Sequence, residues 1–156
     1  MPPSFLKEKP MLEFLNTVLP ASGGPYIAST RKIGSKTNFF SNMKADTIQA
    51  LATMLTGLDS DPSIEVFFSV ANYKQGWHPS GKFDPKTGRE KGQIRVQENV
   101  AFKRCFYVDL DVDPANPKKY PSKKEAVQGL KRIVNEIVQV TPLIVETKNG
   151  YHCYWP

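Results

Sequence analysis

Cys105-Phe106-Tyr107-Val108-Asp109-Leu110-Asp111-Val112-Asp113 is the stretch around which the chain is organised. Phe106, Val108, Leu110 and Val112 alternate with Tyr107, Asp109, Asp111 and Asp113, the period-2 pattern of a strand with one buried face. The three carboxylates are therefore expected on one side. Successive same-face residues sit about 6.5–7 Å apart, near enough to converge on divalent cations and to repel one another without them. The pattern predicts a cation at this strand. Asp113, followed by Pro114, also reads as a turn-forming terminator, whereas Asp109 is flanked by apolar residues. A calcium loop does not fit: Pro114 stands where an EF-hand turn needs Gly, and Tyr120 where it needs a bidentate Glu.

Downstream, Ser122 and Glu125 form an S-x-x-E capping box that opens a helix over residues 122–140. Its apolar stripe is Ala126, Leu130, Ile133, Val134, Ile137 and Val138, and Pro142 ends it. Leu143 to Thr147 then reads as a strand, Lys148-Asn149-Gly150 as a tight turn and Tyr151 to Trp155 as the returning strand. This strand-helix-strand-strand order brings His152 back toward the aspartates.

Upstream, residues 1–10 read as an exposed leader, Met11 to Leu19 as a helix stopped by Pro20, and Tyr26 to Thr30 as a short strand. Arg31, Lys32 and Lys36, with Gly34, Ser35 and Thr37, suggest a phosphate loop. The GxxxxGK[ST] spacing is absent, so a solvated loop within reach of a nucleic-acid backbone is expected instead. Asp46 should cap a helix running to Leu58, and Ile64 to Ala71 should be one strand. Residues 72–92 are expected as a long loop or a hairpin excursion. Within it Trp77 and His78 suit base stacking or metal binding, although a lone loop His is more often simply solvated. Arg95, Lys103 and Arg104 lead basic character up to the acidic strand, where they suit either a triphosphate or plain salt bridges.

The length suits one folded domain. A hydrophobic fraction of 40% and a charged fraction of 23% are those of an ordinary globular chain, with no apolar run of bilayer length. The proline-broken N-terminus with Glu8 lacks a signal-peptide pattern, so a cytoplasmic protein with no membrane partner is expected. A net charge of +6 biases the surface toward polyanions. Cys105 and Cys153 lie in apolar runs without CxxC spacing and are expected as buried thiols.

Taken together, the two motifs resemble the catalytic core of the archaeo-eukaryotic primase superfamily, most closely the primase-polymerases of phages and plasmids. The family's acidic pair is matched by Asp109 and Asp111 in Phe-Tyr-Val-Asp-Leu-Asp-Val, and its His motif by Asn149-Gly150-Tyr151-His152-Cys153-Tyr154-Trp155. The likeness extends to Lys119-Tyr120-Pro121-Ser122 and, more loosely, to Phe14-Leu15-Asn16 with Leu19-Pro20. It implies an α+β fold: an N-terminal αβ module followed by a partial RRM-like sheet of β-α-β-β order, together one catalytic domain over residues 1–156. It implies a metal-dependent nucleotidyltransferase, a primase or DNA polymerase acting in DNA replication on a DNA template with nucleoside triphosphates. Asp109 and Asp111 would ligate Mg²⁺ or Mn²⁺. His152 would contact the nucleotide's phosphates, with Gly150, Asn149, Thr147, Lys148 and Arg104 around it.

Two departures qualify the likeness. Thr147-Lys148 stands where the family has Ser-Gly, so a hydroxyl survives but a glycine becomes a cation. The family also has a third acidic motif beyond its His, and no candidate for it follows before Pro156. The expectation is therefore an incomplete domain, either a fragment or a truncated or split protein that borrows a missing C-terminal half, with an exposed sheet edge favouring a homodimer or another partner. Unwinding would come from a separate helicase. The alternative is a catalytically incomplete module that binds nucleic acid or nucleotide.

Overall fold

Helix-period and strand-period apolar residues sort the chain into a mixed α+β structure with several small antiparallel sheets. The computed structural model describes residues 8–34 and 40–156. The chain divides into two compact units, Met1–Arg104 and Cys105–Pro156.

In the first unit, α1 (Glu8–Val18) and α2 (Ile48–Leu58) accompany a sheet of order β2-β1-β3, made of β1 (Tyr26–Lys32), β2 (Ser41–Ala45) and β3 (Ile64–Phe68). Leu15, Val18, Leu19, Ile27, Leu51 and Leu55 are buried, and Phe14 meets Phe68 edge-on. The leader expected over 1–10 gives way to helix at Glu8, because Pro10 in a first turn needs no helical N–H partner; residues 1–7 lie outside the described residues. Thr47 caps α2 in place of Asp46: its backbone is extended and its hydroxyl accepts the Ala50 N–H at 3.0 Å.

Arg31 and Lys32 extend β1 instead of forming a loop. The Arg31 guanidinium pairs with Glu65 across the sheet and lies over the Phe40 and Phe67 rings. Ser35, Lys36 and Thr37 of the suggested phosphate loop lie outside the described residues. The strand expected over 64–71 breaks at Ser69-Val70, where the Ser69 N–H donates to Ile27 O and the chain leaves the sheet. The 72–92 region is not a structureless loop. β4 (Ala71–Tyr73) pairs with β7 (Val100–Lys103), and β5 (His78–Phe83) and β6 (Glu90–Gln93) form an antiparallel hairpin between them. Buried Asn72 and Asn99 pin its base, Asn72 to Ser22 O and Phe102 N–H, Asn99 to Gln75 O and Ile94 O.

The second unit runs β8 (Phe106–Asp111), α3 (Lys123–Arg132), β9 (Leu143–Thr147) and β10 (Gly150–Trp155), with sheet order β8-β10-β9. β10 is antiparallel to both neighbours, so the outer strands run parallel to each other with α3 in the connection between them. Leu110, Ala126, Leu130, Cys153 and Trp155 form the core, with Val108, Val112, Ile133, Val134 and Val138 packed against it. Both cysteines are buried. The cap opens as expected: the Ser122 hydroxyl accepts the Glu125 N–H at 3.3 Å and donates to the Glu125 carboxylate at 3.0 Å. The helix does not stay α to its end. Residues Ile133–Val138 form a π-helical turn closed by Gln139 in the left-handed region, and the wider turn leaves Ile137, expected in the core stripe, 75% exposed.

Candidate functional site

Strand alternation and register assemble the site. On β8, Tyr107, Asp109 and Asp111 share one face, opposite Val108 and Leu110, which meet the core. On β10, His152 lies across from Asp109, Gly150 from Asp111 and Tyr154 from Tyr107. Directly opposite residues share a face, so the carboxylates and the imidazole stand on one surface of the sheet. His152 Nε2 is 3.7 Å from Asp109 Oδ1, in ion-pair but not hydrogen-bond range. The Tyr107 ring meets His152 at 5.6 Å and Tyr154 at 5.2 Å between centroids.

The connection after β8 adds a cation. Asp113 N–H donates to Tyr120 O at 2.9 Å and Tyr120 N–H to Asp111 O at 3.0 Å, folding residues 114–119 into a closed excursion. Asp113 is a turn former: its carboxylate accepts the Ala115 N–H at 3.1 Å. The excursion delivers Lys119, whose Nζ lies 3.0 Å from Asp111 Oδ2.

The electrostatics follow from this crowding. Burial and the Asp111 charge push the Asp109 carboxyl above the ordinary value, against the opposing pull of His152 and Lys119. The hydrogen bond and charge of Asp111 raise Lys119. Burial, then the charges of Asp109 and Asp111, push the Tyr107 phenol up to about 12, so it stays a protonated donor at neutral pH. Burial and the Asp109 charge raise the Cys153 thiol as well.

Two carboxylates on alternate residues are oxygen donors of the kind Mg²⁺ and Mn²⁺ take, and a divalent ion would offset the cost of ionising Asp109, which comes first from burial and then from Asp111. The fit is to a pair that needs further oxygens from phosphate or water. Among the described residues no three His, Cys, Asp or Glu side chains converge as a preformed metal cluster.

Of the remaining predicted residues, all but Arg104 sit at the hairpin between β9 and β10. Lys148 and Asn149 form its two-residue turn, and the Asn149 carbonyl accepts the Val112 N–H at 2.6 Å. Thr147 turns its carbonyl to Lys123 Nζ at 3.1 Å, and Lys123 also pairs with Glu146. Gly150 belongs to β10 and not to the turn: at φ +153°, a Cβ there would collide with the Leu110 carbonyl oxygen. Gly150 thus permits the close approach of the β8 backbone. Arg104 lies in the first unit, where its guanidinium donates to Asn16 O at 2.8 Å.

Sequence reasoning gave Tyr107 and Lys119 no site role. Tyr107 was findable, because it has the same strand parity as the two aspartates. Lys119 left no such signal, since it reaches Asp111 only through the fold of the excursion. A shallow cleft in the first unit, among Asn16, Gly23, Pro25, Asp46 and Thr47, gathers no comparable cluster of charge. No described helix is long and apolar enough to cross a membrane. Compared with known protein families, curated proteins and solved structures, the chain matches none.

Proposed function

We propose that the chain is a metal-dependent nucleotidyltransferase of the primase-polymerase type, extending or starting primers on a DNA template. The observation that carries this reading is the register of β8 on β10, which sets His152 opposite Asp109 on the face that also holds Asp111. Asp109 and Asp111 would hold Mg²⁺ or Mn²⁺, with phosphate and water supplying the remaining ligands. The ion when bound neutralises triphosphate charge and lowers the pKa of an attacking hydroxyl. His152 sits beside this pair as a phosphate contact, and Lys148 stands exposed at the neighbouring turn as a second cation for the same polyphosphate. The order β8-β10-β9, with a helix connecting two parallel outer strands, supports the finer reading of an RRM-like sheet. A DNA template, nucleoside triphosphates and a separate helicase are the partners this activity would use.

Lys119 favours a second reading. Its ammonium already neutralises Asp111, as it would in a module that holds nucleotide or nucleic acid without chemistry.

A template-directed extension assay with Mn²⁺ and labelled nucleotide separates the two. The enzyme reading expects incorporation by the parent and none by Asp109→Ala/Asp111→Ala. Nucleotide binding without incorporation in the parent would sink it and leave the binding module. Lys119→Ala adds a direct readout: with the resident cation gone, Mn²⁺ should bind more tightly in a calorimetric titration.

A further inference from the structure

The positive charge of the chain is unevenly placed. Residues 74–104 contain eight Lys and Arg against three Asp and Glu, an excess of five in a chain whose net charge is +6. The β5–β6 hairpin is the centre of this stretch. Its tip is ordered: Asp84 Oδ1 accepts the N–H groups of Lys86 and Thr87 at 2.9 and 3.0 Å, and Asp84 N–H donates to Arg89 O at 2.8 Å. Lys91 has Asp84 as its carboxylate partner, at 4.0 Å. Lys82, Lys86 and Arg89 have no carboxylate within ion-pair distance among the described residues.

Two large rings stand among these cations, Trp77 51% exposed and Phe83 63% exposed. A Cβ on Gly92 would collide with Trp77 Nε1 and Cδ1, so the indole lies directly against the β6 backbone while half its surface remains open. Trp77, held against the strand, and Phe83, open on the same hairpin as the uncompensated cations, serve no core. Ammonium and guanidinium groups suit phosphates, and open ring faces suit unpaired bases. A duplex keeps its base faces stacked inside, and an acidic peptide would leave the rings without partners.

We infer that the β5–β6 hairpin with Trp77 is a binding site for single-stranded nucleic acid, Trp77 and Phe83 stacking on bases while Lys82, Lys86 and Arg89 contact phosphates. The site makes no use of Asp109 or Asp111 and stands whether or not those carboxylates hold a metal.

Fluorescence anisotropy with a labelled oligothymidylate tests it. Trp77→Ala/Phe83→Ala should weaken single-strand binding by at least about tenfold while duplex binding changes little, and Trp77→Phe should restore most of the loss. Lys82→Ala/Lys86→Ala/Arg89→Ala should lower the salt slope of binding by about two. Trp155 is buried, so oligonucleotide should quench tryptophan emission in the parent and leave it nearly unchanged in Trp77→Phe. The readout is equilibrium binding without metal or nucleotide, so failure here is distinguishable from failure of the polymerase reading. Parent-like affinity of the aromatic variant, an unchanged salt slope in the cation variant, or equal competition by polyglutamate would each overturn the assignment. Should Trp77→Ala fail to fold by circular dichroism, Phe83→Ala alone carries the test, with at least about a fivefold loss expected.

Discussion

Asp109 shows how a residue suited to hold a cation burdens the fold that carries it. Its carboxyl is raised by burial and by Asp111, so the folded chain binds that proton more tightly than the unfolded chain does. The resulting advantage is fully present below the ordinary value of 3.8 and is lost as pH rises through the folded value. Above that point the ionised group destabilises. Asp109→Asn should therefore raise the melting temperature near neutral pH, and the difference from the parent should fade at about pH 3. Thermal melts followed by circular dichroism across that range check it; an Asn variant that melts below the parent at neutral pH would mean that His152 and Lys119 outweigh the crowding. The same substitution should abolish Mn²⁺ binding, setting stability and metal affinity in opposition at one side chain.

The elements that build the site were legible in sequence because their periods differ. Alternation marked β8 and placed Asp109 and Asp111 together, the S-x-x-E box marked the start of α3, and the Pro142 stop set the return through β9 and β10 toward His152. What was not legible depended on contacts between elements. The capture of Lys119 by Asp111 and the close approach of β8 at Gly150 follow from how the elements meet, and the π-helical turn that exposes Ile137 carries no mark in the apolar spacing. Likewise a run of turn-forming residues over 72–92 resolved into strands because buried Asn72 and Asn99 satisfy the backbone at its base. Gly150 yields the element-scale prediction. Its backbone conformation disfavours an L side chain and the Leu110 carbonyl fills the space beside it. Gly150→Ala should cost about 2–3 kcal/mol, read as a lower denaturation midpoint. Faster amide exchange should accompany it on β8 and β10 but not on β1 to β3, since the two strands lie in the second unit.

At the scale of the whole molecule, each unit carries its own core and its own candidate chemistry: carboxylates and imidazole in Cys105–Pro156, cations and open rings in Met1–Arg104. The sheet of the second unit has two terminal strands, and they are unequally defended against self-pairing. β8 presents Asp109 and Asp111 beside the Lys119 excursion, a charged border that resists joining to another strand. β9 presents Leu143, Ile144 and Val145, each 38–49% exposed, with Glu146 as its only charged residue. Concentrated protein should therefore associate through β9. Ile144→Lys, on the face away from His152, should reduce the concentration dependence of its light scattering while leaving Mn²⁺ affinity unchanged, and equal association in the variant would place the adhesive surface elsewhere. The border rich in carboxylates thus acts as a gatekeeper against aggregation, and a divalent ion that neutralises Asp109 and Asp111 would lower that guard. Colloidal stability should then depend on the metal content of the buffer, with manganese-saturated protein the more prone to precipitate.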